Sequence, residues 1–457
     1  MRLIIEMLLK KLITKLNNLS NNINKLFEKY FFFILLFLVC LTYFPYISVI
    51  SWGEDYAGYI LQAKAMFSNG SNEFIEKQKF LQPLSINPRF PIYAPIGLPL
   101  LIGLTSFITN FEIYLVKLLI PLSVLLISLA LRSKSSNLII LLLAIHPSVT
   151  DQYTDILGEI PAILFFIYAI NSKNYYLKNI LFVITCLIKP TFFIFVVFVI
   201  LFSSKQKIKD YFVFGICLFL FELFSRSLFS MQIFGDYSQI NTNTVNQGLI
   251  SRSLDNFFNL TFSRFIFFLE EIGIMVIGFS NILSPLIGFL FILLLLFLRN
   301  RYSVMCLAFM LFHFFVIEVD YFVRYLFPVL FFTFLSLREY LLTKKGSKNL
   351  SQIVFITFFL FFGLQNIYSI LNIDLQRGPH ETSSIELFEY VENFDSNTIF
   401  GFHSPRPFRL LSEKDAYKLD GELYKNSVVI CYKDQQCTIP KDYELVFNNI
   451  DYKVFNK

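Results

Sequence analysis

Charge is what this 457-residue sequence has least of: only 16% of its residues are Asp, Glu, Lys or Arg, against about a quarter in a soluble fold. That deficit excludes an ordinary globular enzyme. Disorder is excluded as well, because a chain with 58 Phe and 24 Tyr is too apolar to stay solvated. No Walker A, GxSxG, HExxH or CxxC pattern occurs, so ATP-driven transport and the common soluble hydrolase chemistries have no local support. The four histidines, His146, His313, His380 and His403, show no metal-ligand spacing. There is no internal repeat, which speaks against the many secondary transporters built from repeats. No small-residue cleavage site follows the first apolar run, so no removable signal peptide is expected.

What the sequence has instead is apolar length. It is 55% hydrophobic with a mean hydropathy of +0.60, the composition of a polytopic membrane protein. Abundant Phe, Ile, Asn and Lys suggest an AT-rich, bacterial genome. About 20 apolar residues cross a bilayer as a helix. The expected fold class is therefore an α-helical polytopic membrane protein with about 11 spans (range about 10–13) and a small extracytoplasmic C-terminal α/β domain. The spans fall near 31–50, 112–131, 138–147, 159–170, 179–188, 190–202, 211–225, 282–298, 303–317, 324–337 and 351–371, several of them borrowing polar flanks. Two further apolar runs, 96–108 and 265–280, can be read as spans or as interfacial segments.

Basic residues arbitrate the topology. If 96–108 only dips into the membrane, the Lys- and Arg-rich segments 132–137, 171–179, 203–210, 299–302 and 338–350 all join the N-terminus on one side. Residues 1–30 then form a basic amphipathic helix on the cytoplasmic face, attracted to anionic lipid. Residues 31–373 are the transmembrane domain, with a long first outer loop, 52–95. Residues 374–457 form an extracytoplasmic domain with β-prone runs at Ser427–Tyr432 and Leu445–Asn448. The expected location is a bacterial inner (plasma) membrane, N-terminus cytoplasmic and C-terminus outside. Cys431 and Cys437 lie in that last domain and could form a local disulfide in an oxidising compartment. Cys40, Cys186, Cys217 and Cys306 lie in apolar runs and read as packing residues.

Chemistry-bearing residues collect in the outer loops. Glu54-Asp55-Tyr56 follows the first span and opens a helical stretch to Phe67. An acidic pair there can accept a hydroxyl proton or hold a divalent cation; the bland reading of Asp55 is a helix N-cap. The second outer loop holds Asp151, Asp155 and Glu159 without a Lys or Arg. On one continuous helix the three would share a face, but Pro161 suits the first turn of the next span and argues against that helix. Lys189-Pro190 sits between two apolar runs, and Arg324-Tyr325 opens a late span. Cations at such places suit phosphate or simply snorkel to the interface. The polar tract 241–259 is a linker or a loop over the site.

These residues resemble a family. Glu54-Asp55-Tyr56 with the helix to Phe67, then Tyr93-Ala94-Pro95-Ile96-Gly97-Leu98-Pro99-Leu100-Leu101, is similar to the GT-C superfamily of membrane glycosyltransferases, in its protein O-mannosyltransferase and aminoarabinose-transferase branch. Asp155-Ile156-Leu157-Gly158-Glu159-Ile160-Pro161 and Arg324-Tyr325-Leu326-Phe327-Pro328 are further matches. The sequence departs from the family in Ala94-Pro95 where a double proline is usual, and in Glu54-Asp55 where Asp-Glu is common. The resemblance implies an inverting glycosyltransferase that moves a sugar from a polyprenyl-phosphate donor to a lipid, glycan or protein acceptor at the outer face. Asp55 is the implied general base, with Glu54 beside it. Lys189 and Arg324 would stabilise the leaving lipid phosphate, and Asp155 and Glu159 would orient acceptor or sugar or hold a divalent cation, if one is used. Tyr56, Arg89, Tyr93 and Tyr325 complete the expected substrate contacts. Membrane lipids are expected partners and nucleic acid is not. The alternatives are a polysaccharide polymerase or O-antigen ligase, and a lipid-linked-sugar flippase or transporter. The last would need charges deep in several spans, where Glu222 is the main intramembrane acid.

Overall fold

The computed structural model describes residues 29–47, 54–67, 94–132, 137–153, 156–203, 207–229, 231, 233, 262–278, 282–316, 322–343, 347–371, 381–395, 398–402, 405–414, 416–418, 428–433, 437, 439 and 441–457. The protein is mostly helical, with one small sheet at its C-terminal end. Three described helices are long and apolar enough to cross a membrane: α1 (Lys29–Tyr46), α4 (Ile113–Leu131) and α9 (Lys207–Phe229). Between and after them run α2 (Glu54–Phe67), α3 (Gly97–Thr109), α5 (Asn137–Ala144), α6 (Glu159–Asn171), α7 (Tyr175–Ile188) and α8 (Phe192–Ser203). The second half adds α10 (Phe262–Ile277), α11 (Ser284–Leu298), α12 (Arg301–Val316), α13 (Phe322–Thr343) and α14 (Ser347–Leu371).

The first helix shows why these segments need lipid. Phe31, Leu35, Leu38, Val39, Tyr43 and Tyr46 are buried at helical spacing, while Phe33, Phe37, Leu41 and Phe44 on the other face are exposed. A helix of a soluble protein would turn a polar face outward. Here both faces are apolar, and only hydrocarbon suits the outer one.

Contacts at helix ends fix how the chain winds. Lys117, at the start of α4, donates to the carbonyl of Tyr46 at the end of α1 (2.9 Å). Arg132, just past the end of α4, lies over the ring of Phe31 near the start of α1 (5.1 Å). The two helices are antiparallel neighbours, so the chain between them leaves and returns at one end of the bundle. α3 lies in that intervening stretch. Its 13 residues span roughly 20 Å, short of the hydrocarbon thickness, and Asn110 and Phe111 turn the chain with positive φ (47° and 58°).

The same winding continues. Thr42 donates to the carbonyl of Ala144 (3.3 Å), joining the ends of α1 and α5. Asn171 donates to Ala130 (3.2 Å), joining the ends of α6 and α4. Lys178 pairs with Asp210 (3.3 Å), joining the starts of α7 and α9. The basic residues Arg132, Lys178, Lys207 and Lys209 thus gather at one end of this bundle, and the acid-bearing segments following α1 and α5 at the other.

The C-terminal unit is α/β, as its β-prone runs suggest. α15 (Glu381–Glu392) and α16 (Pro405–Ser412) accompany β1 (Phe400–Phe402), β2 (Ala416–Lys418), β3 (Val428–Tyr432), β4 (Glu444–Asn448) and β5 (Tyr452–Asn456). The strand order is β2-β1-β3-β5-β4. β1 is parallel to both β2 and β3, while β5 is antiparallel to β3 and β4. Leu387, Val391, Phe400, Phe402, Phe408, Ile430, Tyr452 and Val454 form its core. Cys431 and Cys437 are disulfide-bonded. α16 also packs against α2, so the C-terminal unit sits at the bundle end that carries the first loop.

Candidate functional site

Three segments distant in sequence meet at that end. The N-terminus of α3 packs on the C-terminus of α7 so tightly that a Cβ on Gly97 would lie 2.4 Å from the backbone of Leu187 and Ile188. Only glycine permits that approach. Gly158, just before α6, lies against the same turn, its Cβ position 3.1 Å from the carbonyl oxygen of Ile188. The next residues are Glu159, opening α6, and Lys189, closing α7, and they form an ion pair at 2.6 Å. The carboxylate is 1% exposed and the lysine 12%.

Sequence reasoning gave Glu159 and Lys189 separate tasks; the structure joins them. The antiparallel α6–α7 hairpin is the reason, since it places the first residue of one helix beside the residue after the last of the other. The shared helical face considered for Asp151, Asp155 and Glu159 does not form. Asp151 lies in a short 3-10 turn (Asp151–Tyr153) and Glu159 starts a new helix after the bend at Gly158. Asp155 lies outside the described residues, as do Arg89 and Tyr93.

The acidic pair Glu54-Asp55 occupies the first turn of α2, where the helix dipole favours negative charge; the side chains themselves lie outside the described residues. Tyr56 follows, buried. Arg324 and Tyr325 fall in the first turn of α13, again with side chains outside the described residues.

Several positioning residues were not anticipated. Gln62, fully buried on α2, clasps Ala94 both ways: its amide donates to the carbonyl (3.0 Å) and its oxygen accepts from the N–H (2.9 Å). That clasp fastens α2 to the Pro95-Ile96-Gly97 approach of α3. Ile96 in turn donates to the carbonyl of Ile233 (3.1 Å), and the N–H of Ile233 donates to Glu222 (2.9 Å), which also holds Arg226. Glu222 therefore braces the end of α9.

The His146–Thr150 half of the second outer loop is scaffold. His146 contacts the carbonyl of Val276 (3.0 Å) and Ser148 donates to that of Met275 (2.8 Å). Asn366 of α14 donates to Ile145 (2.7 Å) and accepts from Thr150 (2.8 Å). Tyr153 stacks edge-on against Tyr43 and Tyr46 at the end of α1. The one available signal was an amide side chain in an apolar stretch, Gln62 in one helix and Asn366 in the other: a buried amide needs partners.

Among the described residues no three His, Cys, Asp or Glu gather as a metal site. No protein-family model matches the chain, and no curated protein matches it.

Proposed function

We propose that this chain is a membrane glycosyltransferase of GT-C type. It moves a sugar from a polyprenyl-phosphate donor to an acceptor hydroxyl at the extracytoplasmic face, using about eleven crossings. The observation that carries the reading is the convergence of the three motif segments at one end of the bundle, opposite the basic end. The positive-inside rule puts the basic end in the cytoplasm. The Cys431–Cys437 disulfide then falls on the oxidising side, where such bonds persist.

In this mechanism the donor arrives laterally in the outer leaflet, so no nucleotide-binding fold is required. Asp55, with Glu54 beside it at the start of α2, accepts the proton of the acceptor hydroxyl. The hydroxyl oxygen bonds to the anomeric carbon while the carbon–phosphate oxygen bond breaks, inverting that centre. Charge grows on the departing lipid phosphate, and Lys189 and Arg324 stabilise it. Glu159 holds Lys189 ready: a buried ammonium needs a counter-charge until phosphate supplies one. Glu222, engaged by Ile233 and Arg226, has a bracing task that weakens the carrier alternative.

The test uses purified protein in detergent with radiolabelled polyprenyl-phosphate sugars, comparing wild type with Asp55→Asn. Free polyprenyl phosphate released only by the wild type supports the proposal. Donor binding without turnover, equal in both proteins, favours a flippase. Turnover surviving in Asp55→Asn leaves an enzyme with a different base.

A further inference from the structure

The C-terminal domain touches the bundle through a helix with two faces. On α16, Phe408 is fully buried in the core of the C-terminal domain. Two residues on, Leu410 is buried in the core of the membrane domain. Positions two apart project to different sides of a helix, so this eight-residue helix belongs to two cores at once. Its partner on the membrane side is α2.

α2 is held on its other sides as well. Its buried side chains are Tyr56, Ala57, Tyr59, Ile60, Gln62, Ala63, Ala65 and Met66. On its membrane side the Gln62–Ala94 clasp and the close approach of Phe67 to Gly103 fasten its middle and end to α3. The start of α2, which carries Glu54 and Asp55, lies about two turns before Gln62. That start lies beyond the clasp, so a small tilt of α2 moves the acid pair. A catalytic group tolerates little misplacement.

We propose that the C-terminal domain positions α2 through α16, with Leu410 as the positioning residue. The domain is then part of the site's framework. The catalytic consequence rests on the glycosyltransferase reading; the structural one does not.

The experiment takes the full-length protein in detergent and compares wild type, Leu410→Ala, Leu410→Met and Val454→Ala. Val454 is buried in the core of the C-terminal domain, so its truncation weakens the domain without trimming the α16–α2 contact. The first readout is amide hydrogen exchange across 57–67. Leu410→Ala is expected to speed that exchange at least about tenfold, with Leu410→Met near wild type. The second readout is turnover of the polyprenyl-phosphate sugar. Leu410→Ala is expected to lower kcat about tenfold with KM for the donor held, and Leu410→Met to restore it.

Unchanged exchange in α2 for Leu410→Ala overturns the proposal, as does an equal effect on α2 from Val454→Ala. Faster exchange in α2 together with no turnover of any donor by the wild type supports the positioning role while sinking the glycosyltransferase reading, so the two failures are distinguishable.

Discussion

The buried Glu159–Lys189 pair gives the sharpest quantitative prediction. At 2.6 Å and an effective dielectric near 20, attraction between the two charges is about 6 kcal/mol. Removing each ion from water costs several kcal/mol, so the intact pair is close to neutral in net stability. Its cost appears when one partner goes. Glu159→Gln takes the paired carboxylate from a largely buried ammonium, and Lys189→Met takes the paired ammonium from a carboxylate that is 1% exposed. Each single variant is expected to lose about 3–5 kcal/mol, and the double variant Glu159→Gln/Lys189→Met less than either, giving a coupling of more than about 3 kcal/mol. The assay is unfolding of the detergent-solubilised protein across a series of denaturing detergent, for the four members of the cycle. Single effects that add to within about 0.5 kcal/mol would refute the reasoning, because the two groups would then not sense each other. A pair that is purely structural shows the coupling but leaves donor turnover intact in the folded double variant; the proposed phosphate role of Lys189 requires turnover to be lost.

Gly97→Ala puts a Cβ 2.4 Å from the backbone of Leu187 and Ile188, and should cost about 1–3 kcal/mol of stability. Gly363→Ala on α14 meets nothing within 4 Å and should gain about 0.5–1 kcal/mol; thermal unfolding in detergent compares the two. Cys431 and Cys437 should resist an impermeant maleimide on intact cells until a reductant is added, and replacing both with Ser should cost the C-terminal domain roughly 2 kcal/mol for a loop this short. Asp442 is held below the usual carboxylate range by its hydrogen bond from Lys457. Its stabilising contribution is present above the ordinary carboxylate pKa and is lost as pH falls through the lowered value. Lys457→Met should return the Asp442 titration, followed by NMR, to the ordinary range. For α3, Phe107→Trp in a Trp52→Phe background should be quenched by brominated lipid, since Phe107 is exposed on a helix that turns back; protection from lipid would refute that placement.

What could be read from the sequence was what periodicity and charge encode. A helix over Tyr56–Phe67 and β-prone runs at Ser427–Tyr432 and Leu445–Asn448 follow from local pattern and match α2, β3 and β4 to within two residues, and the nearness of Cys431 and Cys437 allowed the disulfide that forms. Whether 96–108 crosses did not follow from it, because apolar length is the same for a short span and for a helix that dips in. Nor did the placing of α1 beside α4, which rests on Lys117 at Tyr46 and Arg132 at Phe31, contacts between residues about seventy to a hundred positions apart. The Glu159–Lys189 pair was hidden for a related reason. Each residue lay at a helix end with its own plausible task, and only the handed return of α6 and α7 shows that the ends coincide. The eleven-span count was read from runs of apolar residues, many too short alone. Three described helices are both long and apolar enough to cross unaided, and several of the others are short.

Those short helices bear on where the site lies. α6, α7 and α8 have 13, 14 and 12 residues, about 18–21 Å each, against roughly 30 Å of hydrocarbon. Bundled with α1 and α4, helices this short cover only part of that thickness. Irregular backbone at that depth is tolerated only where protein covers it or water reaches it. The turn after α5 meets the first condition: Asn366 takes up the carbonyl of Ile145, His146 and Ser148 reach across to α10, and Tyr153 is sealed by Tyr43 and Tyr46. The bends at Gly158 and at Lys189-Pro190 are covered by α3, whose Gly97 lets its backbone rest on them. α2 lies across α3, and α16 lies on α2. The layers explain why the Glu159–Lys189 pair is buried although it lies in a connection between helices.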